Sequence, residues 1–163
     1  MQPRPLKLSF SKIILVMTSL LIVSNCTIVD VAATRALQPD VPALQYELFV
    51  QYSELALHEM SEGNPDAAAL FNDKARQAAR GIVVKPDRPA DKVMQESYAR
   101  LIGLLAEGTD ALPPAVVARA QVMYDCWLEE QTQNVDKSEI FACRQAFETV
   151  MHIHDSARLQ KGQ

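Results

Sequence analysis

Apolar residues recur along this chain at spacings of three and four, the signature of one face of an α-helix, in five separate stretches. Residues 42–60 carry Leu44, Leu48, Tyr52, Leu55 and Met60 close to that spacing, with proline at the first turn. The break Glu62-Gly63-Asn64-Pro65 ends this stretch. Residues 65–79 form the next, with Asn64 as candidate N-cap, Ala68, Phe71, Ala75 and Ala78 facing inward, and Gly81 closing the helix. Residues 83–89, Val-Val-Lys-Pro-Asp-Arg-Pro, read as a proline-punctuated connector. Residues 90–106 then present Val93, Met94, Tyr98, Leu101, Ile102 and Leu105 on one side, and Gly108 with Pro113-Pro114 stops them.

The last two patterns flank one short turn. The first carries Val116, Ala120, Met123, Tyr124 and Trp127, with Cys126 on its flank, and fades into the polar run 129–134. Asp136 and Glu139 form an acidic analogue of a capping box, and Ile140, Cys143, Phe147, Val150, Met151 and His154 then share a face. Counted outward from the turn at about 1.5 Å per residue, Cys126 lies about 12 Å up one helix and Cys143 about 10 Å up the other. A disulfide across the hairpin is geometrically natural. The alternatives are two buried free thiols or a zinc site, which wants four soft ligands in close pairs. His152 and His154 are two apart and point about 200° away from each other on a helix, so they do not chelate together. His154 reads as a stripe-edge residue and His152 as solvated. The expected fold class is all-α: about five antiparallel helices in one domain over residues 42–159, with a frayed tail at 160–163.

The N-terminus changes the picture of where this domain resides. Arg4, Lys7 and Lys12 precede an apolar run from Ile13 to Val23 broken only by Thr18 and Ser19, the layout of a secretory signal over residues 1–25. The run is shorter than the roughly 20 residues of a membrane-spanning helix, although an uncleaved anchor is the alternative. Val23-Ser24-Asn25-Cys26 resembles a bacterial lipobox, which implies lipidation at Cys26; Asn25 stands where that pattern has Gly, Ala or Ser. A competing cleavage would follow Val31-Ala32-Ala33. Of three cysteines, removing Cys26 as lipid carrier leaves an even pair for an oxidising compartment to join. Residues 26–41 read as the lipidated tether. Three of the 16 basic residues and none of the 20 acidic ones lie in the signal, so the remainder carries a net charge of about −7. With no basic stripe interleaved with aromatics, nucleic acid is not an expected partner.

The run 118–134, containing Asp125-Cys126-Trp127, together with Ala142-Cys143-Arg144 and Phe147, resembles the N-terminal helical region of OmpA-family lipoproteins of alphaproteobacterial envelopes. The likeness extends more weakly back to about Leu44. It implies an outer-membrane lipoprotein facing the periplasm, with a soluble periplasmic protein as alternative. Those proteins continue into a peptidoglycan-binding domain, whereas this sequence ends at Gln163, so direct peptidoglycan binding is not expected. Tyr52, Gly63, Ala67, Phe71 and Pro86 also fall near the landmarks of one tetratricopeptide unit, which cannot bury its own second face. On that reading Tyr46, Phe49, Tyr52 and Phe71 form an exposed partner-binding patch; alternatively the rings complete the core.

No glycine-rich phosphate loop, GxSxG elbow or HExxH is present, and the carboxylates read as solvated surface. The sequence therefore predicts no catalytic residues, cofactor or metal. It predicts a lipid-anchored helical scaffold or adaptor that binds another envelope protein. The alternatives are a small periplasmic enzyme or carrier, and a truncated OmpA-family relative with little independent activity.

Overall fold

Among the described residues, four helices begin where a side chain accepts from the free N–H groups of the first turn, each such cap being worth about 1 kcal/mol. In the computed structural model, which describes residues 30–110, 112–133 and 136–161, Asp30 accepts from the Ala33 N–H at 2.8 Å and opens α1, Val31–Arg35. α2, Ala43–Ser61, follows Pro42. Asn64 accepts from the Ala67 N–H at 3.3 Å and, with Pro65 in the first turn, opens α3, Pro65–Ala79. Asp91 does the same for α4, Lys92–Glu107, through the Val93 N–H at 2.9 Å. A 3-10 turn at Gly108–Asp110 leads to α5, Pro114–Gln133. Asp136 accepts from both the N–H and the hydroxyl of Ser138, at 2.7 and 2.6 Å, and opens α6, Lys137–Lys161. The α2–α3 turn reverses through Gly63 at φ 80°, a left-handed conformation that glycine adopts without strain.

α2 and α3 form one antiparallel hairpin and α5 and α6 a second; α2 packs across α5, and α4 lies on α5 and α6. Covered from three directions, α5 is buried on most of its circumference, from Val117 and Ala118 through Gln121, Tyr124 and Asp125 to Cys126, Trp127 and Glu130. A helix so placed has no wholly polar face, which is why its buried positions include charged ones. Tyr124, Trp127 and Phe147 cluster at its middle, with ring centroids 5.6 to 6.5 Å apart. Beside them Cys126 and Cys143 are joined in a disulfide with Cα atoms 5.8 Å apart, as the hairpin geometry predicts. Arg100 pins α4 to α6 through Glu148 at 2.8 Å and Asp155 at 3.2 Å.

The all-helical expectation holds, with three local corrections. A sixth helix, α1, lies inside the segment read as tether; Val31 and Thr34 are buried, and α1 packs against both α2 and α3. The second face of the first hairpin is thereby covered by α1 and α5 rather than left for another repeat. On α4 the expected face holds for Met94, Tyr98, Leu101 and Leu105, but Val93 and Ile102 at its margins are exposed while Ser97 and Leu104 are buried. Its partners lie on one side, so only the narrow face at spacings of three and four is buried, not the wider arc of its apolar residues. His154 is buried, not at an edge, with Nε2 3.1 Å from Glu107 Oε2. The expected signal and lipidation site, including Cys26, lie outside the described residues.

Candidate functional site

Three places stand out: a buried polar node, an apolar groove and an acidic pocket. The first is a node where both hairpins and the connector meet. Asp125 on α5 accepts from the Tyr52 hydroxyl of α2 at 2.5 Å, from Lys74 Nζ of α3 at 2.6 Å and from the Asp87 N–H of the connector at 2.9 Å. Lys74 also reaches Asp87 Oδ2 at 2.8 Å and the Lys85 carbonyl at 3.4 Å. Gln121, one turn before Asp125, donates to the Val84 carbonyl at 3.0 Å and the Tyr52 oxygen at 3.1 Å. Burial holds the Asp125 carboxyl above its ordinary value against the opposing pull of Lys74, and burial followed by the Asp125 charge pushes the Tyr52 hydroxyl well up. The buried charges are each used by another, so the node binds the connector to the body.

The second place is a groove of about 350 Å³ lined by Leu44, Leu48, Val83, Tyr98, Ile102 and Leu105 among others. Val83 is 69% and Ile102 40% exposed at its edge. The third is a pocket of about 200 Å³ where the ends of the two hairpins meet: His58, Glu59 and Glu62 from the end of α2, Asn64 at the N-cap of α3, Glu130 and Gln133 from the end of α5, and Asp136 and Glu139 at the start of α6. Asn64 Nδ2 bridges the two turns, donating to Glu59 Oε2 at 3.0 Å and Gln133 Oε1 at 3.1 Å. His58 Nε2 stands 3.6 Å from Glu139 Oε2. Burial, then the charges of Glu59, Glu139, Glu129 and Asp136, push the Glu130 carboxyl up to about 7. Burial likewise raises Glu59.

No family model, curated protein or solved structure matches this chain. No helix among the described residues is long and apolar enough to cross a membrane, and no group of three His, Cys, Asp or Glu side chains among them is placed to hold a metal ion.

Of the four aromatics expected to form an exposed patch, Tyr46 alone is open, at 46%. Phe49, Tyr52 and Phe71 are core: Tyr52 stacks on Phe71 with centroids 6.3 Å apart and aims its hydroxyl at Asp125. The partner patch is corrected accordingly, because α5 supplies the second face that a lone helix pair lacks. Sequence reasoning missed Lys74, Gln121 and Asp125, and missed Glu59 and Glu130. The signal for the first group was a Gln and an Asp four apart with apolar residues on both sides of them in α5. The acidic pair leaves no comparable trace, since it joins helix ends 71 positions apart in the chain.

Proposed function

We propose that this protein is a cell-envelope adaptor, held at the outer membrane by lipid on Cys26 and acting by binding another envelope protein. The observation that carries the reading is the Cys126–Cys143 disulfide, which belongs to an oxidising compartment. The lipobox-like run before Thr27 supports export and anchoring together. Four residue steps separate Cys26 from Asp30, a reach of at most about 15 Å of chain, and α1 packs against α2 and α3. A lipidated Cys26 would thus hold the α1 end of the body close to the bilayer, and a partner would meet the faces away from it. The apolar groove beside Ile102 supports partner binding through an apolar segment, and takes the place of the buried aromatics in that role.

Two measurements test this. Mass spectrometry of membrane-extracted protein should find a lipid-modified N-terminal Cys26; an unmodified residue there removes the anchor. Photo-cross-linking in cells from position 102 should give one discrete protein adduct whose identity is an envelope protein, and the same probe at exposed Glu54 should not. Matching adduct patterns at the two positions would refute a partner seated in the groove.

A further inference from the structure

The pocket between the hairpin turns has a composition that its structural role does not explain. Five of its eight lining residues are carboxylates, Glu59, Glu62, Glu130, Asp136 and Glu139, and none is lysine or arginine. Glu130 is only 7% exposed, and neither of its oxygens has a hydrogen-bond or ion-pair partner among the described residues. Glu59, 3% exposed, has a single partner in Asn64. A buried carboxylate without a partner is costly, and two facing each other are more so. The bridge between the hairpins does not need Glu130, because Asn64 donates to Gln133 and to Glu59.

We infer that this pocket is a receptor for an alkylammonium or guanidinium group. A nitrogen cation answers each feature at once. It carries several N–H donors, so one group can bond to carboxylates that project from different helices, which a spherical metal ion with short ligand distances cannot do here. A volume of about 200 Å³ accommodates the head of one lysine or arginine side chain. Glu130 lines the pocket, and no hydrogen-bond or ion-pair partner among the described residues occupies its oxygens. The group has two sources: a basic side chain of a partner protein, which rests on the adaptor reading above, or a free polyamine, which does not.

The test is an NMR titration of the full lipidated chain in detergent, following the side-chain amides of Asn64 and Gln133. The probes are Nα-acetyl-arginine amide, Nα-acetyl-lysine amide and spermidine at matched ionic strength, with magnesium and calcium chloride as comparisons. At least one nitrogen probe should give saturable shifts. Glu130→Gln and Glu59→Gln should each weaken it about tenfold, the loss of a hydrogen bond to a charged group, while Glu96→Gln on the exposed face of α4 leaves it unchanged. Tighter binding of the amino-acid amides assigns the site to a partner's side chain, and tighter binding of spermidine to a free polyamine. Affinity should also fall from pH 8 to pH 6, where the groups facing the ligand are His58, Glu59 and Glu62 from α2, Glu129 and Glu130 from α5, and Asp136 and Glu139 from α6. Absence of saturable shifts, preference for the divalent ions, or equal weakening by Glu96→Gln overturns the inference. Both pocket variants exchange a carboxylate for an isosteric amide, and a melting curve for each verifies that the fold is retained.

Discussion

Replacing Glu130 with glutamine should stabilise the unliganded protein at pH 8 and flatten a pH dependence that runs opposite to that of a salt-bridged carboxylate. In the unfolded chain Glu130 titrates near 4.5; in the folded protein burial and its acidic neighbours raise it to about 7. Below 4.5 the group is protonated in both states and costs nothing. Between the two values the folded state binds a proton that the unfolded state does not, so stability falls as pH rises through this window. Above 7 both states are ionised and the full penalty is present. The separation corresponds to about 3–4 kcal/mol at about 1.4 kcal/mol per unit. Glu59 and Asp125, both raised by burial, add to the slope with the same sign. Asp136, lowered by its bonds to Ser138, has the opposite sign but acts below its ordinary 3.8 and so outside the range pH 5–8. Thermal melts followed by circular dichroism at pH 5 and pH 8 should show the wild type less stable at pH 8, and Glu130→Gln raised there by about 5–10 °C. A wild type more stable at pH 8, or a variant with the wild-type slope, would refute the electrostatic account of the pocket.

Two further substitutions probe what holds the body together. Cys143→Ser, or reduction, should cost about 3 kcal/mol for a closed loop of this length and lower the melting temperature; quantitative labelling of both thiols in native oxidised protein would show that no bond was there to lose. Asp125→Ala should destabilise by about 3–5 kcal/mol in urea unfolding, because Lys74 and the Tyr52 hydroxyl lose their shared acceptor. Combining Lys74→Met with Asp125→Leu should cost less than the sum of the two single changes, and strict additivity would mean that the pair is not coupled.

The longer helices were legible in the sequence by local marks: Asn64 with Pro65, the Pro113-Pro114 pair, and Asp136 with Glu139 all lie within a turn of a helix start. The disulfide was legible for a related reason, since two cysteines equidistant from a short turn need only antiparallel helices to meet. What could not be read was the assignment of faces between distant elements. Val93 and Met94 are adjacent and both apolar, yet Met94 is core and Val93 is 75% exposed. Only the position of α5 and α6 decides between them. The same limit hid both polar sites: Lys74 looks like any exposed lysine of a helix until α5 places Asp125 opposite it. α1 escaped notice because five residues carry too little periodicity to be distinguished from a linker.

The two polar sites differ in a way that bears on function. At the node, two buried side chains of opposite charge lie 2.6 Å apart, polar donors complete the set, and the arrangement binds the connector to three helices. At the turn pocket, burial brings together groups of like charge, compensated among the described residues only by the Asn64 amide on Glu59 and by His58 beside Glu139. Its penalty at neutral pH, about 3 kcal/mol, is close to the roughly 3 kcal/mol that the disulfide contributes in the adjoining hairpin. Glutamine at position 130 would relieve that penalty without altering the shape of the helix, so the carboxylate is not explained by folding. Preorganised sites concentrate such unfavourable arrangements, offset by stabilisation elsewhere in the molecule. On this argument the hairpins converge at their turns to hold a set of carboxylates in place until a cation arrives, and the covalent link in α5–α6 is part of what makes that arrangement sustainable.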